Sequence, residues 1–248
     1  MPKINRIGEV RKMSNGQLAK IIEYRSYKDI TIKFEDGTIL NKIRYNAFKR
    51  GNVKNPYLPT KYGIGYIGEE SIVDCEGQLL KSYVVWNNML ARCYHIKNKC
   101  YKDYGEQGVI VCKEWQNYTN FKKWYDEHYY ELENEIVDLD KDILIEGNKV
   151  YSPETCIFVP KRINCLFRNH KKENSLPKGV YFQDGRYRCQ IRIEGKTKHL
   201  GYYNTIEEAS NVYLKAQKEE IKRTADIYKD KIPKKLYDRL IEICNKIN

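Results

Sequence analysis

Residues 186–193 read Arg-Tyr-Arg-Cys-Gln-Ile-Arg-Ile, a run in which polar and apolar side chains take strict turns. Alternation of period two gives two clean faces only in an extended strand, because successive Cβ atoms there point to opposite sides of the sheet. One face is then Arg186, Arg188, Gln190 and Arg192, and the other is Tyr187, Cys189, Ile191 and Ile193. The stretch Gly185 to Tyr202 therefore predicts a β-hairpin, and its apolar face demands a cover that the helical stretch Thr205 to Ala216 can supply. A strand face carrying three guanidinium groups and an amide matches the donors and acceptors that base edges and phosphates present in a major groove.

The whole chain has the same sign. Its 45 Lys and Arg against 33 Asp and Glu leave a net charge of +12 and a pI near 9.1, the balance of a nucleic-acid binder. Lys, Asn, Ile and Tyr are abundant throughout, so charge alone discriminates little and its clustering on one strand face is what counts. Met1–Val10 lacks the apolar stretch of a signal peptide, and no run approaches the ~20 apolar residues of a membrane span, so a cytoplasmic protein with no membrane partner is expected. The eight cysteines include no CxxC pair and read as reduced thiols. Cys93, Cys100, Cys112 and Cys156 lack the close ligand pairs of structural zinc sites, so no zinc is expected and they read as small core residues.

Punctuation divides the chain. Residues 1–62 read as a small β module: Gln17 to Tyr24 with Leu18, Lys20, Ile22 and Tyr24 on one face, then a strand with Ile30, Ile32 and Phe34, then Thr38 to Ile43. Arg44, Lys49, Arg50 and Lys54 follow beside Tyr45 and Phe48, a basic and aromatic patch suited to phosphates or simply a solvated face. Pro and Gly residues at 56–68 mark a connection. Helical spacing begins at Ser82, with Val85, Trp86, Met89, Leu90 and Cys93, and again near Asn117, with Phe121, Trp124 and Tyr125; both stripes read as core. The polar stretch His170 to Pro177 predicts a boundary, and a last helix beyond Pro233 carries Leu236, Leu240, Ile241 and Cys244, an apolar stripe for capping a neighbour or for a homodimer.

Two family resemblances rest on quoted residues. Gly179-Val180-Tyr181, Gly185-Arg186-Tyr187, Ile191-Arg192, Leu200-Gly201 and Thr205-Ile206-Glu207-Glu208-Ala209 resemble the AP2 DNA-binding domain. That resemblance implies a three-stranded sheet laid in the major groove with a helix behind it. Tyr181, Arg186, Arg188, Gln190, Arg192, Thr197 and His199 would then face DNA, and Val180, Ile191, Leu200 and Ala209 would be core. Lys196 and Lys198 would supply salt-sensitive phosphate contacts. His199 stands where plant members commonly have tryptophan, so their sequence preference does not transfer.

The middle of the chain resembles the HNH nuclease-like proteins that phages and mobile elements fuse to AP2 domains. The matching pieces are Trp86 to Tyr94, Tyr104 to Trp115, Phe121-x-x-Trp124, Leu139-Asp140-Lys141-Asp142, Tyr151 to Cys156 and Asn164. An HNH site needs an imidazole to deprotonate water and ligands for a divalent cation. Lys141 stands where that histidine should be and Thr155 where the loop asparagine should be. A lysine ammonium is positive at neutral pH and repels a metal, and His95, His128 and His170 fall outside the motif. The expectation is a degenerate nuclease-like module with no cofactor, in which Lys141 contacts a phosphate. Only if cleavage survived would Asp140, Asp142 and Asn164 serve as a catalytic set holding Mg²⁺.

The resulting expectation is a multidomain α+β chain: an N-terminal β module at 1–62, an HNH-like domain at 78–170, an AP2-like domain at 176–225 and a C-terminal helix at 226–248. Its expected role is sequence-specific binding of double-stranded DNA by a phage- or prophage-type protein in a bacterial host's cytoplasm, for regulation, DNA architecture or DNA protection. The alternatives are a metal-dependent homing-type endonuclease and an inhibitor whose partner is a host protein complex.

Overall fold

The computed structural model describes residues 5–167, 176–193 and 195–247; most of the expected boundary at His170 to Pro177, including His170, lies outside them. The chain is mixed α and β with several small sheets, and no helix among the described residues is long and apolar enough to cross a membrane. It falls into two compact units, Met1–Asn98 with Lys113–Lys122, and Lys99–Cys112 with Lys123–Asn248.

The first unit opens with a four-stranded antiparallel meander of β1 (Val10–Lys12), β2 (Leu18–Ser26), β3 (Asp29–Phe34) and β4 (Ile39–Ile43), followed by the short helix α1 (Tyr45–Lys49). Its core is Met13, Ala19, Ile21, Ile30, Ile32, Phe34, Tyr45, Phe48 and Val53. The face of β2 is the opposite of the expected one: Ala19 and Ile21 are buried while Leu18 is 44% exposed. The cause is the pairing of Ala19 with Phe34 and Ile21 with Ile32, since residues opposed across an antiparallel ladder share a face and β3 has only one apolar side. β2 is apolar at adjacent positions, so its own period was ambiguous.

The unit continues past residue 62. Gly65 lies so close to Trp86 and Leu90 that a Cβ there would sit 2.4 Å from Leu90 Cδ1. These side chains belong to α2 (Lys81–Tyr94), whose buried residues include the expected Trp86, Met89, Leu90 and Cys93. Trp86 Nε1 donates to the Trp115 carbonyl at 2.6 Å, and Tyr118, at the start of α3 (Tyr118–His128), packs on Trp86 and Tyr83. The predicted connection at 56–68 is thus the wall of an aromatic core.

In the second unit β5 (Ile110–Val111) pairs in parallel with β7 (Val150–Tyr151), and β6 (Val137–Asp140) pairs antiparallel with β8 (Ile157–Pro160), which leads into α4 (Lys161–Phe167). A three-stranded sheet then forms from β9 (Val180–Gln183), β10 (Arg186–Ile193) and β11 (Lys196–Tyr203), with β10 central. The next helix, α5, runs unbroken over Ile206–Tyr228, across the position where a domain edge was expected at 225. Its sequence holds no Gly or Pro, and each half has its own core to cover. Ala209 and Tyr213 pack on the three-stranded sheet, whereas Ile221, Ala225 and Tyr228 join Ile143, Ile157, Val159 and Ile163. The last helix, α6 (Lys234–Lys246), buries Leu236, Leu240 and Cys244 in that same cluster. Of the stripe expected to cap a neighbour or to serve a homodimer, these three residues cap the neighbouring cluster, and Ile241 packs against it partly buried.

Candidate nucleic-acid interface

A tight turn and a helix cap shape the sheet–helix unit. Asp184 and Gly185, both at positive φ (51° and 74°), close the β9–β10 hairpin, the backbone that a two-residue turn with the strand twist requires. Thr205 caps α5: its hydroxyl accepts from Glu208 N at 3.2 Å while the Glu208 carboxylate accepts from Thr205 N, a reciprocal arrangement worth about 1 kcal/mol. The helix then covers one sheet face with Ala209 and Tyr213 against Val180, Cys189 and Ile191.

The opposite face collects the polar set. Arg188 lies across from Tyr181 on β9 and Tyr202 on β11, Arg186 from Gln183, Gln190 from His199, and Arg192 from Thr197. Arg188 Nη1 donates to Gln183 Oε1 at 3.0 Å, and its guanidinium carbon sits 5.6 Å from the centre of the Tyr181 ring, a cation–π contact. Arg188 Nε is buried without a hydrogen-bond partner among the described residues, a cost that a surface arranged for stability alone would avoid. Arg192 Nε donates to the Gly195 carbonyl at 3.2 Å, and the His199 and Tyr202 rings lie 4.9 Å apart. Arg186, Arg192, Thr197, His199, Tyr181 and Tyr202 are exposed, and Gln190 is half-buried.

A bulge decides the β11 register. Cys189 pairs with Gly201 but Gln190 with His199, leaving Leu200 as the extra residue, and Gly201 takes φ 133° beside it. In consequence Thr197 and His199 share the arginine face. Lys196 and Lys198 pair with Ile193 and Ile191, which places them on the helix side of this edge strand rather than among the arginines. Gln183 and Tyr202 complete the face and were missed in the sequence. The Asp-Gly pair at 184–185 was the available signal, since a two-residue hairpin there forces Gln183 opposite Arg186.

The Leu139–Asp142 segment behaves differently from expectation. Lys141 is only 6% exposed, and its ammonium donates to both Asp142 carboxylate oxygens (2.7 and 2.8 Å) and to the Asn148 carbonyl (2.7 Å). A cation so enclosed is spent on the loop that surrounds it, which corrects its assignment as a phosphate contact. Asp140 accepts the backbone N–H groups of Asp142 and Ile143 at 2.8 and 2.7 Å, and burial pushes its carboxyl above the usual carboxylate range. Thr155 Oγ1 donates to the Val150 carbonyl, and burial pushes the neighbouring Cys156 thiol up to about 12. Asn164 lies half-buried on α4, and His128 Nδ1 lies 2.8 Å from the Trp124 carbonyl. Asp142 carries the Lys141 ammonium, and no group of three His, Cys, Asp or Glu side chains is clustered among the described residues.

The raised Asp140 pKa gives a signed prediction. Below the unfolded-state pKa both states are protonated and Asp140 costs nothing; as pH rises, the unfolded chain ionises first and stability is lost. Asp140→Asn keeps an acceptor oxygen for the two N–H groups and removes the charge. Its Tm is expected to match the parent at low pH and to exceed it at neutral pH; a variant less stable at neutral pH would show that the carboxylate charge is stabilising.

In the first unit Arg44, Lys49, Arg50 and Lys54 are all exposed, above a buried Tyr45 and Phe48. Over 49 residues, 20% of this chain and 22% of the other, the sequence is 37% identical to an ethylene-responsive transcription factor-like protein of Arabidopsis thaliana. The likeness is to an AP2-type protein, and it spans under a quarter of that protein's length. No family model matches the chain, and no solved structure matches it.

Proposed function

We propose that the protein binds double-stranded DNA in a sequence-specific way through the face of Tyr181, Gln183, Arg186, Arg188, Gln190, Arg192, Thr197, His199 and Tyr202. One observation carries this reading: arginine and glutamine, the side chains that read guanine and adenine bidentately, project from one face of a rigid sheet whose other face is locked to α5. The partial likeness to a transcription factor-like protein supports the same choice. A β-ribbon fits the major groove in width, and we assign the exposed lysines of edge strand β11 to a flanking phosphate reached from the rim of the sheet, not from its arginine face. The wider role we assign is that of a phage- or prophage-type regulator, architectural protein or shield of DNA in a bacterial cytoplasm, its nuclease-like middle serving as scaffold.

Selection of bound duplexes from a random pool, followed by salt titration on the selected site, tests the proposal. Enrichment of a short motif is expected, with log K falling by about 0.9 per phosphate contact for each decade of salt. Failure to enrich any sequence sinks the specific-binding reading, and a flat salt response favours a host protein as the partner.

A further inference from the structure

The first unit carries a groove of about 540 Å³ lined by Tyr27, Lys28, Arg44, Asn46, Arg50 and Asn52. Its walls are the β2–β3 turn on one side and α1 with the loop after it on the other. Tyr45 N donates to the Tyr27 carbonyl at 2.9 Å, which ties the start of α1 to the turn, and Asn52 N donates to the Ala47 carbonyl at 2.9 Å. Ser14 N closes on the Gly51 carbonyl at 2.8 Å, and Gly51, at φ 71°, approaches the Lys12 carbonyl so closely that a Cβ would lie 2.9 Å from it. The groove is thus shaped by backbone bonds before any ligand arrives.

No carboxylate compensates its charge, whereas the arginines of the neighbouring strands are paired. Arg6 and Arg11 pair with Glu9 (3.5 and 3.6 Å), and Arg25 pairs with Glu23 and Asp29. Lys28, Arg44 and Arg50 form no ion pair among the described residues, and no acidic side chain lines the groove. Three free cations, two amides and an exposed tyrosine in a concave site call for an anionic ligand longer than one small ion.

We infer that this groove holds consecutive phosphates of a nucleic-acid backbone, a second, sequence-independent grip on a module separate from the arginine sheet. Lys28, Arg44 and Arg50 supply the charge, Asn46 and Asn52 donate to phosphate oxygens, and Tyr27, 49% exposed, adds a hydroxyl donor. Lys49, singled out in the sequence, does not line the groove, and Lys28 does. The inference rests on the DNA reading only in taking duplex DNA as the ligand.

The test uses the full chain and the variant Lys28→Gln/Arg44→Gln/Arg50→Gln, whose three positions are exposed and leave the core intact. Binding to one random-sequence duplex and to one selected duplex is titrated against salt, with Tm as the control for folding. The expected result is a slope of log K against log salt shallower by about 2 to 3 on both duplexes, with the preference between them unchanged. A folded variant with the parental slope overturns the inference. Should the variant fail to fold, the single change Arg50→Gln, with an expected loss of about 0.9 in slope, carries the same test. The two readings fail on different observables: sequence preference belongs to the sheet, and the slope shared by all duplexes belongs to the groove.

Discussion

Alanine at Arg188 and Arg192 is expected to weaken binding to the selected duplex by about 1 to 3 kcal/mol each and to erase preference at the bases they read. Arg188 should show the larger effect. Gln183 and Tyr181 already hold its guanidinium in one orientation, so less side-chain freedom is lost when it binds, whereas Arg192 is tethered among the described residues through Nε to Gly195. Arg188→Lys sharpens the test because it keeps the charge but removes the planar fork. Its salt slope should stay near the parental value while sequence preference falls. Equal losses on every duplex would demote both arginines to backbone contacts and remove the central support for specific recognition.

The second large effect is on folding. Gly179→Ala is expected to destabilise the three-stranded sheet by about 3 kcal/mol or more, since two independent costs add there. Gly179 takes φ 78°, which L side chains rarely adopt, and a Cβ would lie 2.0 Å from Tyr213 Cδ2 and 2.7 Å from the Gln190 carbonyl. Neither neighbour can yield, because Tyr213 is in the sheet–helix core and Gly179 accepts from Gln190 N at 2.9 Å. Gly185→Ala is the control: φ is similarly positive at 74°, yet nothing lies within 4 Å of a Cβ, so only the backbone cost of about 1 kcal/mol remains. Denaturant midpoints for the two variants, followed by a probe in the sheet, measure the difference. Equal midpoints would mean that the Tyr213 clash is relieved by movement.

Several elements were readable from the chain because the reason for them is local. The helices at Lys81–Tyr94 and Tyr118–His128 follow from apolar spacing, and the start of α5 follows from a threonine placed three residues before Glu208. The end of α5 was misplaced because its apolar residues serve two separate cores, and that division is a property of the packing. Lys141 was misread for a related reason: sequence shows a charge, and only the surrounding loop shows that the charge is enclosed.

The arginine face shows where the division falls. Alternation over residues 186–193 by itself determined that Arg186, Arg188, Gln190 and Arg192 share a side, because period two in an extended backbone leaves no other arrangement. Which residues of the neighbouring strand join them was decided by the tertiary structure. The Leu200 bulge shifts β11 by one residue, and a shift of one reverses every side chain beyond it, so Thr197 and His199 stand beside the arginines while Lys196 and Lys198 face the helix side.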